Sequence, residues 1–325
     1  MSTDAATQPR RFQSFAWAGL VLALLGAALF ATKGIIIKLA LLEGIDSVTT
    51  LTWRLIVAVP IFLTVGILGY RRKLRELPAG TPSPLTLPVL LQTLGVGVLG
   101  YYVASLLDFS ALEYISAQFD RLILLTYPFF VVLFGAVFYK RRITLPMVVA
   151  LLISYFGIAI IFWHDLRIEG DNVVLGAALV FASAFAYAGY QILAKPLIDK
   201  LGSGLFTSIA MSAAGPCVIV HFLFTHPVGA LAITGNGFLL MLAIGTVATV
   251  LPAYCISGAI GLIGPERTAI IGNISPVVTV VLAIAVLGET FTIWHALGTA
   301  LVLGGVFIFT RKEKPRVKVL EEQTA

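Results

Sequence analysis

The sequence predicts an all-α membrane protein of ten transmembrane helices arranged as two inverted five-helix repeats, and three observations predict it. Hydrophobic residues make up 59% of the 325 and charged residues only 12%. With a mean hydropathy of +0.99, lipid rather than water is the solvent for most of the chain. The apolar runs are continuous over about 20 residues instead of alternating with polar ones. That selects helices over barrel strands, because backbone groups in hydrocarbon must find their partners inside the protein. Finally, 259–310 repeats 111–162 at a constant shift, pairing Ala111 with Ala259, Ile115 with Ile263, Pro128 with Pro276, Thr144 with Thr292 and Gly157 with Gly305. Five helices per copy is an odd number, so the second copy must enter the membrane from the opposite face.

Windows of about 19 residues place the spans in order. A polar tail, 1–15, precedes the first span, 16–39, which is too long for a secretory signal core, contains Lys33 and is read as a retained helix. The second, 48–69, runs into Arg71, Arg72, Lys73 and Arg75. The third, 87–112, carries Gly95, Gly97 and Gly100, small residues that let helices approach closely. The fourth, 116–138, holds Pro128 in mid-span and precedes Lys140, Arg141 and Arg142. The fifth, 145–163, closes a first repeat of 16–163, and a linker, 164–172, follows with His164, Asp165, Glu169 and Asp171. The second repeat, 173–310, contains spans at 173–195, 203–224, 237–260, 265–287 and 292–310, and a basic tail, 311–325, ends the chain. Pro128 and Pro276 each remove a helical hydrogen bond, so both are read as kinks.

With the N-terminus in the cytoplasm, the basic clusters fall on one side and Glu43, Asp46, His164, Asp165, Glu169 and Asp171 on the other, where Arg167 is the one basic residue well clear of a span, as the positive-inside rule requires. This predicts a multi-pass protein of the inner (plasma) membrane with both termini cytoplasmic. The formal charge of +6 is thus a topology signal, and no nucleic-acid partner is expected. Trp17 at the inner end of its span, and Trp53, Trp163 and Trp294 at outer ends, read as interfacial anchors. Cys217 and Cys255 lie in apolar runs without metal-ligand or redox spacing and read as packing thiols.

The run Ala111-Leu112-Glu113-Tyr114-Ile115-Ser116-Ala117, the segment Thr126-Tyr127-Pro128, and Ile274-Ser275-Pro276 through Leu287-Gly288-Glu289-Thr290-Phe291-Thr292 resemble the EamA-type repeat of the drug/metabolite transporter superfamily. The resemblance spans about 18–310 and implies a ten-helix fold with a central cavity between the halves, moving metabolites across the membrane. The Gly-Glu pair of the family pattern stands at Gly288-Glu289, whereas the first half has Lys140-Arg141. The resemblance leaves the substrate open.

Ionisable residues inside spans are costly and mark a cavity or a partner. Lys33, Arg54, Asp108, Glu113, Asp120 and Arg121 all fall in the outer halves of the first four spans. Lys33 and Arg54 are expected to pair with Asp108 or Asp120 as an outward gate; the alternatives are a permanent ion-pair network, or snorkelling of Lys33, Arg54 and Arg121. Glu266, opening the ninth span, is the inner gate candidate, although a helix N-terminus favours glutamate in any case. Gln92, Tyr101, Tyr102, Ser105, Tyr190, Gln191, Tyr254 and Asn273 are the deep polar and aromatic residues that could contact cargo.

The leading expectation is a secondary transporter exporting amino acids or related compounds by alternating access. The alternatives are organophosphate or nucleotide-linked cargo, or drug efflux. An intramembrane enzyme is the rival class, but His164, His221, His226 and His295 show no zinc-ligand spacing and no nucleophile–base set is visible, so no catalytic residue, metal or cofactor is assigned. No GxxxxGK[ST] loop occurs, which removes ATP as the direct energy source. Proton coupling through Asp108, Glu113, Asp120 or Glu266 and a monomeric or homodimeric state complete the expectations.

Overall fold

The computed structural model describes residues 8–76, 78, 83, 85–139, 145–169, 172–263, 271 and 274–312, and those residues form helices and connections without a strand. In chain order the helices are α1 (Gln8–Leu42), α2 (Ser47–Glu76), α3 (Leu87–Ala111), α4 (Ala117–Leu124 continued by Tyr127–Tyr139), α5 (Leu145–Glu169) and α6 (Asn172–Leu201). They are followed by α7 (Ser203–Thr225), α8 (Gly235–Gly245 continued to Ile263), α9 (Ser275–Leu287) and α10 (Ile293–Lys312). Seven helices among the described residues are long and apolar enough to cross a membrane. Three shorter apolar stretches, Leu152–His164, Ser275–Leu287 and Ile293–Gly305, accompany them. The chain is a multi-pass membrane protein.

Local sequence sets the helix starts. Asp46 accepts from the Thr49 N–H at 2.9 Å and from its hydroxyl at 2.6 Å, opening α2. Ser116 caps α4 through the Phe119 N–H at 3.2 Å, and Thr234 caps α8 through the Gly237 N–H at 3.0 Å. Gly288, at φ +67°, ends α9 in the left-handed conformation that glycine adopts without penalty.

The two prolines differ from the expectation. The sequence predicts a kink within a continuous helix at each, but α4 breaks into a turn at Leu125–Thr126 and restarts at Tyr127 with Pro128 as its second residue. Pro276 likewise sits in the first turn of α9. In a first turn the missing N–H has no intrahelical partner to lose, so an interruption satisfies proline better than a bend does.

Both α3 and α8 contain a π turn, at Val98–Val103 and Thr246–Val250. The residue before each is a glycine in close contact: a Cβ on Gly97 would meet the Ala210 backbone of α7, and one on Gly245 would lie 2.6 Å from Val57 of α2. Accordingly α3 packs on α6 and α7, α8 on α1 and α2, α4 on α6, and α9 on α1, while α2 packs on α7 and α5 on α10.

Contacts define two ends of the bundle. At the hairpin end, where α1 turns into α2, Glu113 accepts from the Ser47 N–H at 3.1 Å and His226 approaches Asp46 at 3.3 Å. There too Glu289 accepts from the backbone N–H groups of Ala117 (2.8 Å) and Gln118 (3.4 Å), placing a carboxylate on the positive end of α4. At the tail end, where α1 begins, Lys73 donates to the Leu201 carbonyl at 3.0 Å.

Candidate functional site

Helices α1–α4 and α6–α9 enclose a cavity of about 510 Å³. From α1 it takes Ala23, Ala27, Phe30 and Lys33, a stripe at helical spacing. From α6 it takes Ser183, Tyr187, Tyr190, Gln191, Ala194 and Ile198, one face of that helix. Ile198 and Ser203 mark its extent toward the tail end. Beyond Lys33 and Asp108 the hairpin end is filled by a buried apolar cluster that includes Ile35, Ile37, Leu51, Leu55, Phe109 and Leu112.

The charged residues gather at that closed end. Lys33 and Asp108, 7% and 2% exposed, form an ion pair with Nζ 2.6 Å from Oδ2. Arg54 donates from Nε to the Thr249 hydroxyl at 2.9 Å and from Nη1 to the Ser105 hydroxyl at 3.1 Å. Arg121 reaches the Phe30 carbonyl only at 3.4 Å, and its Nε has no partner. Two rings organise the cations. Lys33 Nζ lies 5.4 Å from the Phe30 centroid and 5.8 Å from that of Phe109; Arg121 shares Phe30 at 5.0 Å and Arg54 shares Phe109 at 5.3 Å.

A tyrosine group lies next along the wall. Tyr187 stacks on Tyr190 at 5.5 Å, Tyr101 meets Tyr190 edge-on with their hydroxyls 2.8 Å apart, and Tyr127 meets Tyr187 edge-on at 5.2 Å. This combination of fixed cations, one ion pair and aromatic walls can hold a small polar or ionic molecule and has no nucleophile–base geometry among the described residues.

Residues 17–163 and 174–311 each match the profile of the EamA-like transporter family. The chain belongs to that family, within the drug/metabolite transporter superfamily. It is 28% identical over 310 residues to the uncharacterized transporter YcbK of Bacillus subtilis, covering 93% of this chain and 94% of the relative. It is 26% identical over 306 residues to an uncharacterized transporter of Synechocystis, covering 87% and 90%. A solved crystal structure with 18% identity superposes with a TM-score of 0.59 over 94% of this chain and 99% of the other, a likeness of fold.

Within this EamA-like chain the predicted site residues divide. Lys33, Arg54, Tyr101, Asp108, Arg121, Tyr190 and Gln191 line the cavity together. Gln92 is exposed on α3, outside the lining. Tyr102 turns to α7 and hydrogen-bonds His221 Nδ1 at 2.6 Å, and Tyr254 contacts the Ser208 hydroxyl at 3.3 Å; neither lines the cavity. Asp120 is 0% exposed with both oxygens unpartnered, so it does not pair with Lys33 or Arg54. The reason is angular: consecutive helical residues diverge by about 100°, and Arg121 takes the cavity face. Glu266 and Asn273 lie outside the described residues. Lining residues missing from the sequence reading include Phe30, Tyr127, Tyr187 and Thr249. Tyr187 carried a usable signal, since it falls on the same helical stripe as Ser183, Tyr190 and Gln191.

Proposed function

We propose that this chain is a secondary transporter of the plasma membrane, built of ten spans in two inverted five-helix repeats, that exports amino acids or related small metabolites by alternating access. The observation that carries the reading is the cavity itself. It draws its walls from both family-matched segments and is sealed at one end by packed apolar residues. Support for the inverted repeat comes from the π turns of α3 and α8, which sit at matching places after Gly97 and Gly245, although α9 ends in a third at Ala283–Leu287 that α4 does not share among the described residues. It comes also from reciprocal packing, α3 on α7 and α8 on α2.

Arg71, Arg72, Lys73 and Arg75 belong to the tail end and Glu43 and Asp46 to the hairpin end, a bias that supports a cytoplasmic tail end with both termini on that side. The cavity then faces inward, and the hairpin-end cluster with Glu289 is the closed outer gate. Asp120, a buried carboxylate without a hydrogen bond, is the coupling site for protons. Organophosphate cargo is the second reading, favoured by the presence of Lys33, Arg54 and Arg121 on the cavity wall.

Uptake into proteoliposomes across an amino-acid and nucleoside panel, with and without an imposed pH gradient, tests the reading. Accumulation of a panel member supports it. A protein that moves no member in either direction, or a C-terminal reporter active only in the periplasm, refutes it.

A further inference from the structure

The charges on the cavity wall do not balance. Of the charged side chains lining it, Lys33, Arg54 and Arg121 are cations and Asp108 is the one carboxylate among the described residues. Asp108 is committed to Lys33 at 2.6 Å. Asp120 is fully buried, outside the lining and bonded to nothing. Together these five groups hold three positive charges against two negative, a surplus of one; the wall alone has a surplus of two.

The surplus is best defined at Arg54. Among the described residues its Nε and Nη1 bond only to neutral hydroxyls, and Nη2 makes no hydrogen bond. Thr249 lies within the π turn of α8, and Ser105 follows that of α3 by two residues, so the two irregular turns clamp the guanidinium from both sides. The Thr249 hydroxyl gives its proton to the Ile244 carbonyl at 2.8 Å, so toward Arg54 it acts as an acceptor. Phe109 backs the group at 5.3 Å. The result is a planar fork, 6% exposed, with no carboxylate hydrogen-bonded to it among the described residues; the one acid that acts on it, Asp108, is shared with Lys33. A buried cation without an anion of its own is costly in a low-dielectric interior, and two-pronged recognition of an oxyanion is what a fixed guanidinium does best.

We infer that Arg54 anchors an anion subsite: the cargo carries an oxyanion, a carboxylate or a phosphate monoester, that docks on Arg54 Nη2 beside the Lys33–Asp108 pair. A zwitterion adds no net charge and a cation enlarges the surplus, so the cargo is a net anion. The tyrosine group beyond accepts its uncharged body. This rests on the transport reading and narrows it to acidic relatives of amino acids or phosphorylated compounds.

Four probes sharing one aromatic ring test the inference: 4-hydroxyphenylacetate, phenyl phosphate, tyrosine and tyramine. Binding to the purified full chain in detergent is read by calorimetric titration at fixed ionic strength, and movement by counterflow in proteoliposomes. At least one of the two anions should bind about tenfold more tightly than tyrosine, and tyramine should not bind. Which anion wins separates carboxylate from phosphate. Arg54→Gln should weaken that binding about tenfold or more, and Thr249→Val, which frees the guanidinium while keeping its charge, severalfold. If Arg54→Gln does not fold, Thr249→Val and Arg54→Lys carry the same test. Equal binding of tyrosine or tyramine, binding of neither anion, or unchanged affinity in all the variants that fold overturns the subsite. Anion binding without counterflow leaves the subsite standing and removes transport; counterflow of tyrosine without anion binding does the reverse.

Discussion

Asp108→Asn probes the closed end of the cavity most directly. The substitution keeps the side-chain shape and deletes its charge, so Lys33, 7% exposed, loses the anion that its Nζ contacts at 2.6 Å. Removing one member of a buried ion pair costs about 3–5 kcal/mol, because the other charge is left without compensation. Asparagine still offers an oxygen to Nζ, which places the expected loss near the lower figure. At about 2 °C per kcal/mol for a chain of this size, the unfolding midpoint should fall by about 6 °C. Lys33→Met should cost a similar amount, since Asp108 would be left with both oxygens unmatched; its Oδ1 already has no partner. The double variant replaces the pair with neutral groups and should recover at least half of the summed loss. Thermal unfolding in dodecyl maltoside, followed by tryptophan fluorescence, reads all three variants. Because the pair is buried, the differences should persist in high salt. Single variants that unfold with the wild type, or a double variant that falls by the sum of the singles, would refute the pairing.

Other perturbations test other parts of the molecule. Asp120→Asn should abolish accumulation driven by a pH gradient while leaving counterflow intact, measured in the same vesicles, because it removes a buried proton acceptor that bonds to nothing. Gly97→Ala should destabilise by about 1–3 kcal/mol through overlap with the Ala210 backbone. Gly95→Ala, two residues earlier with nothing within 4 Å, should stabilise by about 0.5–1 kcal/mol, so the two midpoints should move in opposite directions. Glu289→Ala should loosen the hairpin end by removing the carboxylate from the α4 N-terminus. A cysteine placed at the fully buried Leu112 should then react faster with a membrane-impermeant maleimide added from outside; an unchanged rate would remove Glu289 from the seal.

Much of this architecture was legible in the residues. Continuous apolar runs located the membrane-length helices, and the ionisable residues of the first four spans marked the closed end of the cavity. What sequence depth could not supply was rotation about each helix axis. Gln92 and Tyr254 sit as deep in the chain pattern as Tyr101 and Tyr190 but face elsewhere, and only the packing of α3 and α8 decides this. The same ambiguity separated Asp120 from Arg121. Partner choice was equally hidden, since Asp108 and Asp120 offered Lys33 two acids of the same type. The π turns of α3 and α8 gave no sequence signal at all, because any residue can occupy an i→i+5 turn, and they carry the clamp around Arg54.

Those two turns also bear on how the protein can vary. An i→i+5 turn stores one residue beyond the α-helical count, so deleting a single residue within Val98–Val103 or Thr246–Val250 would restore a regular helix while leaving both of its ends in place. Loss of one codon at either position would therefore change only the side chains that the turn itself presents toward the cavity, leaving the rest of the bundle undisturbed. Relatives differing by one residue there would differ in selectivity sooner than in shape.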